Sequence, residues 1–183
     1  MKSLQLDKPH AVVVIGIQGS GKTFFAKKFA ETFNAPFLEE SLFFDNAIDS
    51  TAASNILNVT LTELLKTGRS IVIEQSLSSR VGRTDLTKLL RTAGYVPLFV
   101  WVQVDLDTAM TRAYRTARIS QDDYKAAMRK FTPPHASERP LVVSGKYTFA
   151  TQAKAVLKKL SAPRVSQPSP ERRQPVRGQI VIR

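Results

Sequence analysis

Residues 16–23 read Gly16-Ile17-Gln18-Gly19-Ser20-Gly21-Lys22-Thr23, a match to G-x-x-x-x-G-K-[ST]. Each part of that pattern has a chemical reason. Glycines let successive backbone N–H groups turn inward and cradle phosphate oxygens with no Cβ in the way. A helix that starts at the end of the loop turns its positive pole toward an anion. Lys22 can reach β- and γ-phosphates as a point charge, and the Thr23 hydroxyl can ligate Mg²⁺. Gly16, Gln18, Gly19, Ser20, Gly21, Lys22, Thr23 and Phe24 are therefore the candidate nucleotide-binding residues.

Phosphate chemistry needs carboxylates as well. Glu74 ends the apolar run SIVIE, and strand ends of this kind face the ligand crevice of an open α/β sheet. A carboxylate there can hold Mg²⁺ directly or through water, so Thr23 and Glu74 form the candidate metal pair. A transferred phosphoryl group also needs a base for the acceptor hydroxyl. Glu39, Glu40 and Asp45 lie in the right region. Asp45 is equally suited to capping the next helix, and spacing alone does not separate Glu40 from Asp45. Arg112, Arg115 and Arg118 recur at intervals of three, so Arg112 and Arg115 share a helix face. Guanidinium forks there would match the charge spread over a transferring phosphoryl group. Arg80 and Arg83 follow the Glu74 strand and are expected to point toward the same crevice.

The elements that must position these groups are readable from the apolar pattern. Residues 11–15 form a β-branched run expected to be a fully buried parallel strand. Apolar residues at helical spacing predict a helix over 24–33. A short strand is expected at 37–38, a helix over 46–65 and a strand over 70–74. A helix over 83–93 and a strongly apolar strand over 96–104 follow. Helices over 107–118 and 121–131, a strand at 141–143 and a helix over 148–160 complete the order. Strands alternating with helices imply βαβ units and a parallel sheet. Residues 161–183, rich in Ser, Pro, Gln and Arg, are expected to be a disordered basic tail. This divides the chain into one domain, 1–160, with a helical lid around 107–131, and that tail.

Composition narrows the chemistry further. The 183 residues contain no cysteine and two histidines, which excludes a disulfide scaffold, a thiol nucleophile and a multi-His or Cys-ligated metal centre. No apolar run approaches the ~18 residues that cross a bilayer, so no membrane partner is expected. The start, MKSLQLDKPH, lacks a signal peptide's apolar core, and the two together point to the cytoplasm. Net charge is +12. From Ser161 onward five arginines face Glu171 alone, a net of +4, which leaves +8 in the body. A basic body suggests an anionic partner such as a nucleotide, a phosphorylated substrate or RNA.

These residues together resemble the small P-loop kinase family of polynucleotide-kinase-like and zeta-toxin-like proteins, and most of all its AAA-type ATP-binding members. The resemblance rests on GIQGSGKT, IVIEQSLSSRVGR, RAYRTAR, FTPP and LVVSGKYTFATQAKAVLKKL, and covers residues 9–160. It implies a three-layer αβα P-loop NTPase fold whose five-stranded parallel sheet runs in the order 2-3-1-4-5. It implies ATP and Mg²⁺ as cofactors, Arg112 and Arg115 on the phosphoryl group, and adenine near Gly145 and Lys146. A monomer is the form common among P-loop kinases of this size. The chain departs from the family pattern twice. An aspartate, followed three residues later by an arginine, is usual after the second strand; here Glu39-Glu40-Ser41-Leu42-Phe43-Phe44 carries no arginine. If Ser41 takes the aspartate's place, a base must come from Glu40 or Asp45. Glu74 stands where aspartate is usual, which water-mediated Mg²⁺ tolerates.

The expected function is transfer of the ATP γ-phosphoryl group to a hydroxyl acceptor: a nucleotide, a polynucleotide or a small molecule. Two alternatives stand beside it. One is an ATP-binding or ATPase module without an acceptor. The other is an RNA-binding protein acting through its basic surface and tail, which lacks aromatic residues for base stacking.

Overall fold

The computed structural model describes residues 4, 6–117 and 120–162. Arg118 and the tail from 163 onward, on which two expectations rested, lie outside the described residues.

The sheet is built on β1 (His10–Ile15), whose last five residues are buried. Strand β3 (Ile71–Glu74) lies on one side of it and β4 (Val96–Gln103) on the other. The edges are β2 (Phe37–Glu39), beside β3, and β5 (Leu141–Ser144), beside β4. All pairings are parallel and the order is β2-β3-β1-β4-β5, the P-loop NTPase arrangement. Side chains of β1 alternate between two cores, as strand geometry requires. Val12 and Val14 face α1 (Lys22–Phe33) and α7 (Phe149–Leu160), packing with Phe25, Phe29, Ala153 and Val156. Ala11, Val13 and Ile15 face α3 (Ser50–Lys66) and α4 (Arg80–Thr92), packing with Leu57, Leu61, Leu86 and Leu90. Each fully buried Val, Leu or Phe contributes roughly 1.5–3 kcal/mol. A strand that is apolar on both faces is thus held only in the centre of a sheet covered by helices on both sides.

Four elements were read from the sequence with different bounds or not at all. Residues 40–46 form a separate helix, α2 (Glu40–Asn46), where loop was expected. It buries no residue, so it leaves no apolar period to detect. The expected helix over 46–65 begins later, at Ser50, because Asp49 has extended backbone and its carboxylate accepts from the Ala52 N–H at 2.7 Å. Asp45 therefore sits inside α2 and does not cap α3. Helix α4 starts at Arg80, three residues early, because the Ser79 hydroxyl caps it by accepting from the Gly82 N–H. A 3-10 turn, Ala136–Glu138, is capped by His135 and Glu138 acting reciprocally. Two helices, α5 (Leu106–Ala117) and α6 (Gln121–Lys130), follow β4 on the side where the strands end.

Candidate functional site

The phosphate loop runs from the end of β1 to the start of α1. Gly19 and Gly21 take the left-handed conformation, at φ 81° and 93°, which a side chain would resist. Gly19 also abuts the Ala109 carbonyl of α5, where a Cβ would collide. No side chain caps α1 and no acid lies in its first turn. The N–H groups there and the helix's positive end are left to an anion. Ser20 is fully buried and its Oγ has no partner. An orphaned hydroxyl, a helix start with no side-chain cap and backbone bent around a concavity fit a bound polyphosphate.

Glu74 ends β3 in register with Val14 and Glu39 on the neighbouring strands. It is 4% exposed and pairs with Lys22, Nζ to Oε1 at 3.3 Å. Burial pushes its carboxyl above the ordinary 4.5; the Lys22 charge and hydrogen bond pull it down, and Glu39 and Glu40 add to the rise. Lys22 and Glu74 thus neutralise each other at the loop's mouth. Both are groups that a metal-bound triphosphate would re-partner. Thr23 lines the same space. Among the described residues no cluster of three or more His, Cys, Asp or Glu could cage a metal.

A cleft of about 920 Å³ extends from the loop between α2 on one wall and α5 and α6 on the other. Glu40 and Asp45 both line it. Glu40 is half-buried and its Oε2 accepts the Ser76 N–H at 2.6 Å, which fixes it to the loop after β3. Asp45 is exposed. Arg112 also lines the cleft, with Nη1 donating to the Gly145 carbonyl at 3.1 Å. Gln18 lends its carbonyl to the Tyr124 hydroxyl of α6 at 3.2 Å. Burial and the neighbouring Tyr114 push that phenol above its ordinary 10.0, so it stays a donor. Phe24, two-thirds exposed, forms part of the rim.

Two expected placements, those of Arg115 and Arg83, are corrected. Arg115 is exposed and does not line the cleft, because Ala109 and Ala113 form the packed face of α5 and Arg115 lies too far round the helix from them. Gly145 and Lys146 lie outside the lining too. Gly145 packs directly on the Ser20 carbonyl behind the loop. Lys146 pairs with Asp105 at 2.5 Å, and that hydrogen bond, with Thr108 helping, holds the Asp105 carboxyl well below its usual range. Arg83, expected to face the crevice, is buried behind it. It forks onto Glu138 and donates to the carbonyls of Leu77 and Thr132 at 3.0 Å each. The Thr132 N–H donates in turn to the Ser78 carbonyl. Arg83 therefore ties the loop after β3 to the segment after α6, the two stretches that bring Leu77 and Phe131 to the cleft lining.

Sequence reasoning missed Tyr124 and this clamp, whereas Ser76, which follows Glu74, was expected to help by hydrogen bonding and does so through its N–H to Glu40. Tyr124 did carry a signal: it is the one aromatic residue in the polar helix QDDYKAAMRK. Glu138 carried none, since it acts through a residue 55 positions away.

Comparison with known proteins agrees with this geometry. No curated protein matches the chain significantly by sequence. Among solved structures, a gluconokinase from Sinorhizobium meliloti is similar at TM-score 0.58 and 19% identity, over 83% of this chain and 91% of that one. The APS kinase of Mycobacterium tuberculosis, in complex with AMPPNP and APS, is similar at TM-score 0.64 and 16% identity, over 85% and 99%. Chaetomium thermophilum Kti12, in complex with ADP-AlF3, is similar at TM-score 0.62 and 15% identity, over 82% and 96%. At such identities the likeness is one of fold. No helix among the described residues is long and apolar enough to cross a membrane. The AAA domain family model matches residues 12–134, a span from the buried strand through the phosphate loop and Glu74 to α6, and the chain accordingly belongs to that family of P-loop, kinase-like domains.

Proposed function

We propose that the chain is an ATP-dependent phosphotransferase acting on a hydroxyl acceptor bound in the cleft. One observation supports this above the others. The Lys22–Glu74 pair lies at the mouth of the phosphate loop, and a carboxylate anchored to main chain, Glu40, lines the same cleft. A phosphate-binding loop alone would serve any nucleotide-binding protein. A loop that opens onto a walled cleft containing a fixed carboxylate suits group transfer.

In this reading the loop N–H groups and Lys22 bind the β- and γ-phosphates. Bound Mg²⁺ would shield the phosphate charge, held by the Thr23 hydroxyl and, directly or through water, by Glu74. Glu40 orients the acceptor hydroxyl and takes its proton as the oxygen bonds to the γ-phosphorus. The bond from that phosphorus to the β–γ bridging oxygen breaks, and its electron pair leaves with ADP. Arg112 sits at the cleft edge to match charge on the phosphoryl oxygens. Helices α5 and α6 act as a lid that excludes water and limits hydrolysis.

The test is transfer of label from γ-³²P-ATP with Mg²⁺ to nucleosides, sugars, amino alcohols and 5′-hydroxyl oligonucleotides, with Lys22→Ala as the blank. Label moving into one acceptor, and not in the blank, is the expected result. Label released only as free phosphate for every acceptor would overturn the transferase reading in favour of an ATPase module.

A further inference from the structure

The chain's charge is unevenly distributed, and the imbalance falls on the acceptor wall. The whole protein carries 27 Lys and Arg, yet from Phe29 to Leu65 there is no lysine, arginine or histidine, and there are six acids. This stretch folds into β2, α2 and α3, so α2, one wall of the cleft, is cation-free. It presents Glu40 and Asp45 to the cleft, with the Ser41 hydroxyl and the Phe44 ring between them. Of the other charged groups of the lining, all but Lys130 have partners elsewhere. Lys22 is paired with Glu74, and Arg112 is bonded to the Gly145 carbonyl beside the phosphate loop. Lys130 stands alone at the last position of α6, on the opposite wall. Between and behind the charges lie Leu77, Met128 and Phe131.

Such a wall repels a second anion. A phosphorylated, sulfated or carboxylated acceptor would meet Glu40 and Asp45 with no guanidinium on α2 to receive it. It attracts an ammonium group, and the aromatic and thioether surface suits an apolar ring. We propose that the acceptor is an amine-bearing hydroxyl compound with an apolar ring: the hydroxyl at Glu40, the ammonium toward Asp45, the ring against Phe44, Leu77 and Phe131. This rests on the phosphotransferase reading of the cleft and narrows it. The transfer balances as above; the ammonium keeps its protons and takes no part.

Three probes share a phenyl ring, a three-carbon chain and a hydroxyl and span three charges: phenylalaninol (ammonium), 3-phenylpropanol (neutral) and 3-phenyllactate (carboxylate). Binding to the full-length protein loaded with Mg·ADP is measured by calorimetry and, independently, by fluorescence of Trp101, whose ring stacks near Phe131 at 6.4 Å between centroids. Phenylalaninol is expected to bind about tenfold more tightly than phenyllactate, with phenylpropanol between, and added salt should narrow the gap. Asp45→Asn should remove most of the preference for the amine while ADP still binds. Phenyllactate binding as well as phenylalaninol, a preference unmoved by Asp45→Asn, or no binding by any probe would each overturn the proposal. Label transfer from ATP is scored separately. The expected binding order without any transfer would sink the phosphotransferase reading and leave the ligand class standing.

Discussion

The two ends of the cleft are built in different ways. The phosphate end is main chain: a loop of eight consecutive residues, bent by left-handed glycines, running into an uncapped helix and closed by one buried ion pair. The far end, where we place the acceptor, is side chain: Glu40 and Asp45 on a seven-residue helix that buries nothing, opposed by α6 and braced from behind by Arg83. Backbone donors recognise any polyphosphate and tolerate little change. Side chains on a short exposed helix can be replaced singly, so the acceptor can differ while the donor chemistry stays the same.

Lys22→Ala is the largest expected blow to the phosphate end. Turnover should fall about a thousandfold, as removing a charged stabiliser of the transferring group does, in the label-transfer assay. A loss under tenfold would mean that the loop's N–H groups suffice and that Lys22 mainly balances Glu74.

Arg83→Met asks how far the acceptor end depends on its brace. It strands Glu138 and removes the donor from two carbonyls, so stability in urea should drop by about 3 kcal/mol or more. The Arg83 hydrogen bond, with Arg80 and the His135 N–H helping, holds the Glu138 carboxyl below its ordinary 4.5 despite some desolvation. The pair's stabilisation is therefore fully present above that ordinary value and lost as pH falls through the lowered one. Glu138→Gln should flatten the acid limb of the stability profile, and an unchanged acid limb would show that the ion pair contributes nothing.

Glu40→Gln sharpens the contrast. Transfer should fall about a hundredfold while nucleotide affinity stays within error, because Glu40 serves only the acceptor. Weaker ATP binding in this variant would blur the division between the two ends. Tyr124→Phe carries the smallest effect. It removes one hydrogen bond to the Gln18 carbonyl, costing about 1 kcal/mol, visible as a modest fall in thermal midpoint.

The sheet and the phosphate loop were legible in the sequence for one reason. Their signals are local: β-branched runs mark buried strands, and contiguous glycines with Lys22 mark the loop. The other end was legible only as the candidates Glu40 and Asp45, because its contacts are remote in sequence: Glu40 with Ser76, Arg83 with Glu138, and Tyr124 with Gln18, 106 residues away. Arg83 illustrates the difficulty. Its position just after Glu74 suggested a group facing the crevice, but the early start of α4 at Ser79 turned it inward, and a buried guanidinium then required Glu138. Asp45 was as suited to capping the next helix as to the site until the extended break at Ala47 separated α2 from α3 and left the cap to Asp49.

The Tyr124 hydroxyl donates to the phosphate loop at the Gln18 carbonyl, and Gly19 lies against Ala109 of α5 at the neighbouring position. Both helices over the cleft are thereby fastened to the very backbone that cradles phosphate. Occupancy of the loop should be written into the amide hydrogens of α6: nucleotide that stiffens Gln18 and Gly19 will slow deuterium uptake there through the Tyr124 hydrogen bond. Loosening Tyr124 will speed that uptake and leave the amides of β1, at the centre of the sheet, protected for as long as before.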